Sequence, residues 1–330
     1  MNPKVSVVIV TWNSRRHIER CLECLNKQTF ADYEIIVIDN ASRDDTTHYL
    51  TQHYPQLKII KNQKNFGFAK ASNQGIKAAS AEFILLLNPD VFFEPNCLEE
   101  LAKILFLNSR YGAVGGKLLL LKNGKKSRVI DSTGLFLTRS LKARDRGNRK
   151  EDRGQYNQEE TIFAVCGAAV LFRREALEKV RVEGGYFDED FFAYYEDLDL
   201  CWRMQLVGYE CGYTPKAVAY HVRGGSGLKT NFFQKAQALQ RITLRNRYFM
   251  LIKNLTLNNL LFFFPFFFLT ELLLMFYICI YAPNLFKVYS DIGKNFKKFF
   301  KKRSFIQQSR VNNNRYIRSW IKKCPLAILK

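Results

Sequence analysis

Three acidic residues stand behind apolar runs or at the head of a helical pattern, and each suits a different chemical task. Asp39 closes the run Glu34 to Asp39, where a carboxylate can accept hydrogen bonds from a nucleobase or ribose; the same residue there also serves as an Asx turn-former. Asp90 follows Phe83 to Leu87 within Asn88-Pro89-Asp90. It offers one hard oxygen to Mg2+ or Mn2+, cations that accept one or two carboxylates plus diphosphate oxygens, although an Asn-Pro turn has the same appearance. Tyr195-Glu196-Asp197-Leu198-Asp199 places carboxylates in a helix's first turn, where the dipole keeps them ionised, and Asp197 is the candidate base. Asp199 stands four residues ahead of Arg203, the spacing of a helical ion pair. His221 ends another apolar run beside Arg223-Gly224-Gly225-Ser226-Gly227 and is either a further metal or diphosphate contact or simply a polar strand end. A displacement at a nucleotide's diphosphate would need a nucleotide pocket, a cation on the leaving group and a base for the incoming hydroxyl. Each has a candidate.

The elements that must position them alternate. Val5 to Thr11, Glu34 to Asp39, Leu57 to Lys61 and Phe83 to Leu87 are short β-branched runs separated by helical patterns, the rhythm of βαβ units in a parallel sheet. Ile18, Cys21, Leu22 and Leu25 recur at helical spacing behind Ser14 as N-cap, and Ser42 before Asp44 and Asp45 starts the next helix. In an open parallel sheet the polar residues ending each run lie at the carboxyl ends, where ligands bind. Ala113 to Leu121, Phe163 to Phe172 and Ala217 to His221 are expected as later strands and Tyr194 to Val207 as a helix. The charged stretch Arg139 to Glu160 is expected to be a mobile loop.

The chain has 330 residues and a net charge of +21, enough core-forming material for an α/β domain with an appendage. The charge is uneven: Arg241 to Lys330 carries 17 Lys and Arg against 2 acids, a net of +15, and the residues before it only +6. Such a tail points to an anionic surface, with a phospholipid leaflet and nucleic acid as candidates. Eight scattered cysteines suggest a reducing compartment, and Cys21 and Cys24, inside a helical pattern, suit a core better than zinc. Met1 to Lys4 leads directly into an apolar run, without the pattern of a secretory signal.

The order of the motifs resembles the family 2 glycosyltransferases with the GT-A fold, particularly the bacterial rhamnosyltransferase-like branch, over residues 5–227. The resemblance is carried by Val5 to Asn13, Val37 to Ser42, Asn65-Phe66-Gly67-Phe68-Ala69 with Asn73 and Gly75, Leu87 to Asp90, Gly167-Ala168-Ala169, Phe187 to Phe192 and Glu196 to Arg203. It implies a mixed, mostly parallel α/β sheet flanked by helices in residues 1–240; the apolar and basic composition of 241–330 points to a helical, hydrophobic and basic extension there. The resemblance also implies an inverting transfer by direct displacement. Thr11, Asn13, Asp39, Asn65, Gly67, Lys70 and Asn88 would hold the nucleotide, Asp90 with His221 the divalent metal, and Asp197 would be the base. Lys70 falls where some relatives place a cationic diphosphate contact, a position that also suits a solvated lysine. Asn88 replaces the first acid of the family's frequent Asp-x-Asp motif, leaving one carboxylate. The branch implies dTDP-rhamnose as donor and a lipid-linked or cell-surface glycan as acceptor, with a UDP-hexose donor as the alternative.

Leu260 to Ala282 is 23 residues of mostly Leu, Phe, Ile and Tyr, interrupted by Pro265 and Glu271. A single span would strand one cationic flank outside. Two short apolar helices broken near Pro265 or Glu271, lying in the interface of an anionic membrane with both flanks cytoplasmic, satisfy the charges. A homodimer interface or an extra pair of core helices is the alternative. Basic residues interleaved with aromatics, among them Phe299, Lys301, Arg315, Tyr316 and Trp320, also suit single-stranded nucleic acid, but that reading leaves the three carboxylates unexplained. A nicotinamide oxidoreductase is disfavoured because no GxGxxG follows the first run.

Overall fold

The computed structural model describes residues 2–183, 185–223 and 232–322. β1 (Val5–Thr11), α1 (Arg15–Asn26), β2 (Tyr33–Asp39), α2 (Thr46–His53), β3 (Lys58–Lys61), α3 (Phe68–Ala78) and β4 (Phe83–Leu87) alternate as the apolar rhythm predicts. Then come β5 (Val91–Phe93), α4 (Cys97–Leu107), β6 (Tyr111–Lys122), β7 (Lys125–Ser132), β8 (Leu135–Leu137), β9 (Ala143–Asp145), β10 (Glu160–Ile162), β11 (Ala169–Arg173), α5 (Arg174–Lys179), α6 (Glu196–Leu206) and β12 (Glu210–His221). Every residue of β1 is buried, as a parallel strand covered on both faces requires.

The main sheet has the order β10-β12-β6-β11-β4-β1-β2-β3. From β4 to β3 all pairs are parallel. β11 runs antiparallel between β4 and β6, and β12 is parallel to β6. Two reversals restore direction, so β1, β2, β4 and β12 all end at one edge of the sheet while β11 begins there, with Ala169 opposite Leu87.

Several local expectations change. The single strand at 163–172 is replaced by β10 and the shorter β11, because Gln205 Nε2 binds the carbonyls of Ile162 and Phe163 (3.1 and 2.9 Å) and holds the intervening chain off the ladder. The Ser14 side chain bonds the Trp12 carbonyl and makes no cap bond. Ser42 does not begin α2, which starts at Thr46; its hydroxyl accepts from Asn13 N instead. The charged 139–160 stretch contains β9 and is tied down by the Arg146–Glu160 and Lys117–Asp152 pairs (2.6 and 2.8 Å). Asp152 thus faces a partner on β6, whereas Arg144, Arg149, Arg153 and Glu159 are exposed.

The tail forms α7 (Gln237–Asn254), α8 (Leu257–Tyr281), α9 (Lys287–Gln308) and α10 (Asn314–Lys322). The break expected near Pro265 or Glu271 does not occur: α8 is one helix with Pro265 inside it. Contacts on both sides of the proline, at Asn259 and Phe263 and at Leu274 and Ile278, are buried against the rest of the chain and hold the two halves in line. Glu271 accepts from Arg247 Nη1 (2.7 Å) and from the Tyr248 hydroxyl, so its charge faces protein.

α7 and α9 share the core of the sheet domain. Phe249, Met250, Phe299 and Ile306 belong to the same apolar cluster as Val8, Leu86 and Trp202, with the Phe249 and Phe299 rings stacked at 3.8 Å. Beneath them, Lys253 Nζ reaches Asp188 (2.6 Å) and Asp199 (2.9 Å), and Lys302 Nζ reaches Asp188 (2.5 Å) and Asp190 (2.7 Å). The expected Asp199–Arg203 pair joins this network at 3.1 Å. Burial alone would raise the Asp188 carboxyl, but the two ammonium groups outweigh it and hold it well below the usual carboxylate range. Its stabilising contribution is therefore present above the unfolded carboxylate range and is lost as pH falls toward the lowered native value. Asp188→Asn leaves Lys253 with Asp199 alone and Lys302 with Asp190 alone, and an unfolding free energy lower by about 1.5–3 kcal/mol, the loss of hydrogen bonds to charged groups, is expected in denaturant titration.

Candidate active site

The nucleotide candidates cluster where β1, β2 and α3 meet. Thr11 is the register partner of Asp39; its hydroxyl is buried without a hydrogen-bond partner among the described residues. Asp39 is buried, its Oδ1 accepting from Ser42 N (3.3 Å) and its Oδ2 from the Thr47 hydroxyl (2.7 Å), so it also organises its own turn. Asn13, at φ +53°, accepts from Arg43 N (2.7 Å) and ties the β1 loop to the β2 loop. Asn65 Oδ1 accepts from Gly67 N (2.8 Å). Gly67 has φ +84°, and a Cβ there would lie 2.5 Å from the Phe192 ring; only glycine fits. Lys70 Nζ lies 3.7 Å from Glu189 and 4.7 Å from the Phe66 ring centroid, a lysine already facing an anion of its own chain.

Asn88 N donates to the Ala168 carbonyl (2.8 Å), coupling the end of β4 to the start of β11. Asp90 and His221, about 130 residues apart in sequence order, are brought together because β5 pairs antiparallel with β12 and sets Val91 opposite His221. Asp90 Oδ2 lies 3.4 Å from His221 Nε2. The other ring nitrogen, Nδ1, is 2.8 Å from Asp131 Oδ2. Asp131 is fully buried and also accepts from Arg223 Nε, while Arg223 Nη2 reaches Asp145 at 3.2 Å. Burial would lower the His221 pKa, but hydrogen bonds to Asp131 and Asp90 raise it to about 9. One carboxylate and one imidazole form a donor set suited to Mn2+ or Mg2+ when a ligand's oxygens complete the shell. Asp131 can only accept, so Nδ1 keeps its proton; with the ring's pKa raised, Nε2 is protonated as well at neutral pH, and a cation would have to displace that proton to reach the Nε2 lone pair. The pair therefore fits a metal held jointly with a bound diphosphate. No cluster of three such ligands occurs among the described residues. The glycine-rich segment from Gly224 onward lies outside the described residues up to 231.

Asp197 stands in the first turn of α6. Its Oδ2 accepts from Gly167 N (2.9 Å) and its Oδ1 from Leu198 N (2.7 Å). A Cβ on Gly167 would lie 3.0 Å from the Asp197 Cβ, so the glycine permits the close approach. Burial raises the Asp197 pKa to about 6 against the lowering effect of the two N–H groups. Glu196 beside it is raised too, by burial and then by the charge of Asp197. The preceding chain is strained: Phe192, Tyr194 and Tyr195 have φ of +64°, +70° and +71°. Asn246 of α7 holds it, donating from Nδ2 to the carbonyls of Phe191, Ala193 and Tyr194 at 2.7, 2.8 and 2.9 Å. Along one sheet edge the order is thus Asp39 and Thr11, Asn88 and Asp90, then Gly167 with Asp197.

The family model for glycosyl transferase family 2 matches residues 6–181. The chain is a family 2 glycosyltransferase. Its fold is of the GT-A type. This glycosyltransferase is 27% identical over 253 residues, 68% of its own length and 78% of the relative's, to the N-acetylglucosaminyl-diphospho-decaprenol L-rhamnosyltransferase of Mycobacterium tuberculosis. It is 26% identical over 218 residues, 66% of the chain and 49% of the relative, to the poly-beta-1,6-N-acetyl-D-glucosamine synthase of Staphylococcus epidermidis. Among solved structures it is similar to GalNAc-T7 with UDP, GalNAc and Mn2+, with a TM-score of 0.59 and 16% identity over 76% of this chain and 49% of that one. It therefore spans about half the length of that solved relative. The likeness to S. aureus TarS 1-349 in complex with UDP-GlcNAc has a TM-score of 0.53 at 19% identity, over 77% of this chain and 68% of that one.

Four residues of the glycosyltransferase's site carry little signal in the sequence. Asn40 bonds Phe66 N, Asn65 and the Gly67 carbonyl (3.0, 2.9 and 3.2 Å) and so shapes the loop under the nucleotide candidates; only its place beside Asp39 hints at this. Asp131, Arg223 and Asn246 act through partners far away in the chain. Asp131→Asn removes the acceptor-only constraint on His221. A loss of about 10–100-fold in Mn2+ affinity or turnover is expected, the range seen for partners of metal-ligating histidines. Manganese titration monitored by electron paramagnetic resonance reads it.

Proposed function

We propose that the enzyme transfers L-rhamnose, with inversion, from a nucleoside diphosphate donor to a lipid-linked acceptor at the cytoplasmic face of a membrane. The observation that carries the chemistry is the convergence of Asp90, His221 and Asp197 on the edge that also holds Thr11 and Asp39. The rhamnose and the lipid acceptor rest on the relative from Mycobacterium tuberculosis, whose name carries both.

Asp39, Thr11 and the Asn13 loop would bind the nucleoside, and the Asn65–Gly67 turn would approach the diphosphate with its backbone. Asp197 takes the proton from the acceptor hydroxyl as that oxygen forms its bond to the anomeric carbon, and the bond from that carbon to the diphosphate oxygen breaks on the opposite face. Gly167 N–H and the first turn of α6 orient the carboxylate. Asp90 and His221 would hold Mg2+ or Mn2+, a role supported by their fit and by the Mn2+ with which GalNAc-T7 was crystallised. When bound, the ion would supply positive charge for the departing diphosphate.

Hydrolysis of a panel of nucleotide sugars, with and without manganese, tests the reading. Release from dTDP-rhamnose in a manganese-dependent manner is expected; release from UDP-hexoses alone overturns the rhamnose donor and leaves the UDP alternative.

A further inference from the structure

Among the described residues α8 is the one helix long and apolar enough to cross a membrane, yet it is attached to the protein along its whole length. Arg318 Nε donates to Asn259 near its start (2.8 Å), Arg247 and Tyr248 hold Glu271 in its middle, and Gln240 Nε2 reaches the Tyr277 hydroxyl near its end (3.2 Å). Arg247 is itself bonded to the carbonyls of Ser140 and Leu141 in the sheet domain. If α8 crossed a bilayer while so attached, these charged and polar groups would be drawn into hydrocarbon, where each is costly.

The rest of its circumference is apolar and uncovered. Leu261, Phe264, Phe268, Leu272, Phe276 and Ile280 are each between 47% and 63% exposed, and between Leu260 and Tyr281 the only ionisable acid or base other than tyrosine and cysteine is the inward-facing Glu271. A second protein surface covers one side of a helix and leaves a polar rim; so broad an apolar arc is covered at once only by a fluid apolar phase. Beyond the turn at Pro283–Phe286, α9 exposes Phe296 and Phe300 next to Lys294 and Lys297, a pairing of aromatics with cations that matches the headgroup region of an anionic leaflet.

We propose that α8 lies in the plane of an anionic phospholipid leaflet, its exposed arc among the acyl chains and the lysines of α9 at the headgroups. This makes the enzyme monotopic through an uncleft helix already docked on its own catalytic domain. The proposal extends the reading of a membrane-borne acceptor and rests on it for its purpose. α9 is also tied to the segment that precedes α6, with Lys302 pairing with Asp188 and Asp190 and Lys298 with Asp190.

Vesicle co-sedimentation of the full chain with phosphatidylglycerol-containing and pure phosphatidylcholine vesicles tests it. The double variant Leu272→Glu, Phe276→Glu is expected to lose binding to both at least tenfold, and Lys294→Glu, Lys297→Glu to lose binding to the anionic vesicles selectively. Neither should change the hydrolysis of a nucleotide sugar in solution. Tryptophan introduced singly at Leu261, Leu269 or Ile280 and quenched by brominated lipids, measured above the parent fluorescence, should report one common shallow depth. A deep maximum at position 269 alone indicates a span and overturns the proposal. So does a parent dimer in sedimentation analysis that Leu272→Glu, Phe276→Glu dissociates while vesicle binding persists. Loss of donor hydrolysis in every protein with vesicle binding intact would instead strike the glycosyl-transfer reading and leave this one standing.

Discussion

Asparagine at position 197 is expected to lower kcat by about 10²–10⁴-fold, the range for loss of a positioned general base, with the donor KM little changed. The amide is nearly isosteric and keeps an oxygen for Gly167 N–H, whose bond to Oδ2 is 2.9 Å, but its NH2 then faces the Leu198 N–H that Oδ1 accepts at 2.7 Å, so one local hydrogen bond is lost together with the proton acceptor. The same group is expected to set the acid limb of the pH profile. With its pKa raised to about 6 by burial, Asp197 is ionised and active above that value; kcat/KM should fall about tenfold per unit as pH drops below it. The asparagine variant should lack that limb. Full turnover by Asp197→Asn, or an acid limb that survives it, would assign the proton to another group, and Glu196 would be the next to examine because its carboxyl is raised by burial as well.

Alanine at position 90 should have an effect of similar size by a different route. Removal of the carboxylate facing His221 Nε2 at 3.4 Å leaves a single imidazole on that side, too few protein donors to retain a hard cation against water. A fall in turnover on the order of 10³-fold, about 4 kcal/mol, is expected. The more telling measurement is Mn2+ titration in the presence of a nucleoside diphosphate: affinity should collapse in Asp90→Ala and in His221→Ala, with the double variant no worse than either single one. Such non-additivity is the mark of two residues serving one ion. Manganese affinity that survives Asp90→Ala would remove the metal role and return Asp90 to an Asn-Pro turn.

These two variants probe opposite sides of a single edge, and the protein holds that edge together in an unexpected way. Asn246 and Arg245, on a helix of the basic tail, bond the backbone from Asp190 to Tyr194 that leads into α6. Three consecutive or near-consecutive residues at positive φ are strained, and the amide of Asn246 offsets that strain by satisfying three carbonyls at once. The tail thus helps to hold the backbone that leads into α6, quite apart from what it meets outside.

The sequence by itself determined the parallel half of the sheet and the chemical types at its edge. β-branched runs such as Val5 to Thr11 are buried on both faces, and the polar residue that ends each one must lie where the sheet meets ligand. The placement of Thr11, Asp39, Asp90 and His221 at that edge was legible for that reason, and that of Asp197 because carboxylates gather at a helix start; their roles are the proposal made above. Local signals failed where packing opposed them. Pro265 and Glu271 suggest a broken helix, but burial of Phe263 and Ile278 on either side and the Arg247 partner keep α8 whole. Ser14 looks like a cap, but its amide and hydroxyl are taken up by Thr46 and by the Trp12 carbonyl. Only the tertiary structure decided that Asp90 meets His221, that Asp131 stands behind that histidine, and that Asn246 steadies the approach to Asp197. Each of these depends on strand register or helix docking between segments some 50 to 130 residues apart. Periodicity and burial are written along the chain one turn or one pleat at a time, whereas the meeting of distant side chains is set by which surfaces pair when the core closes.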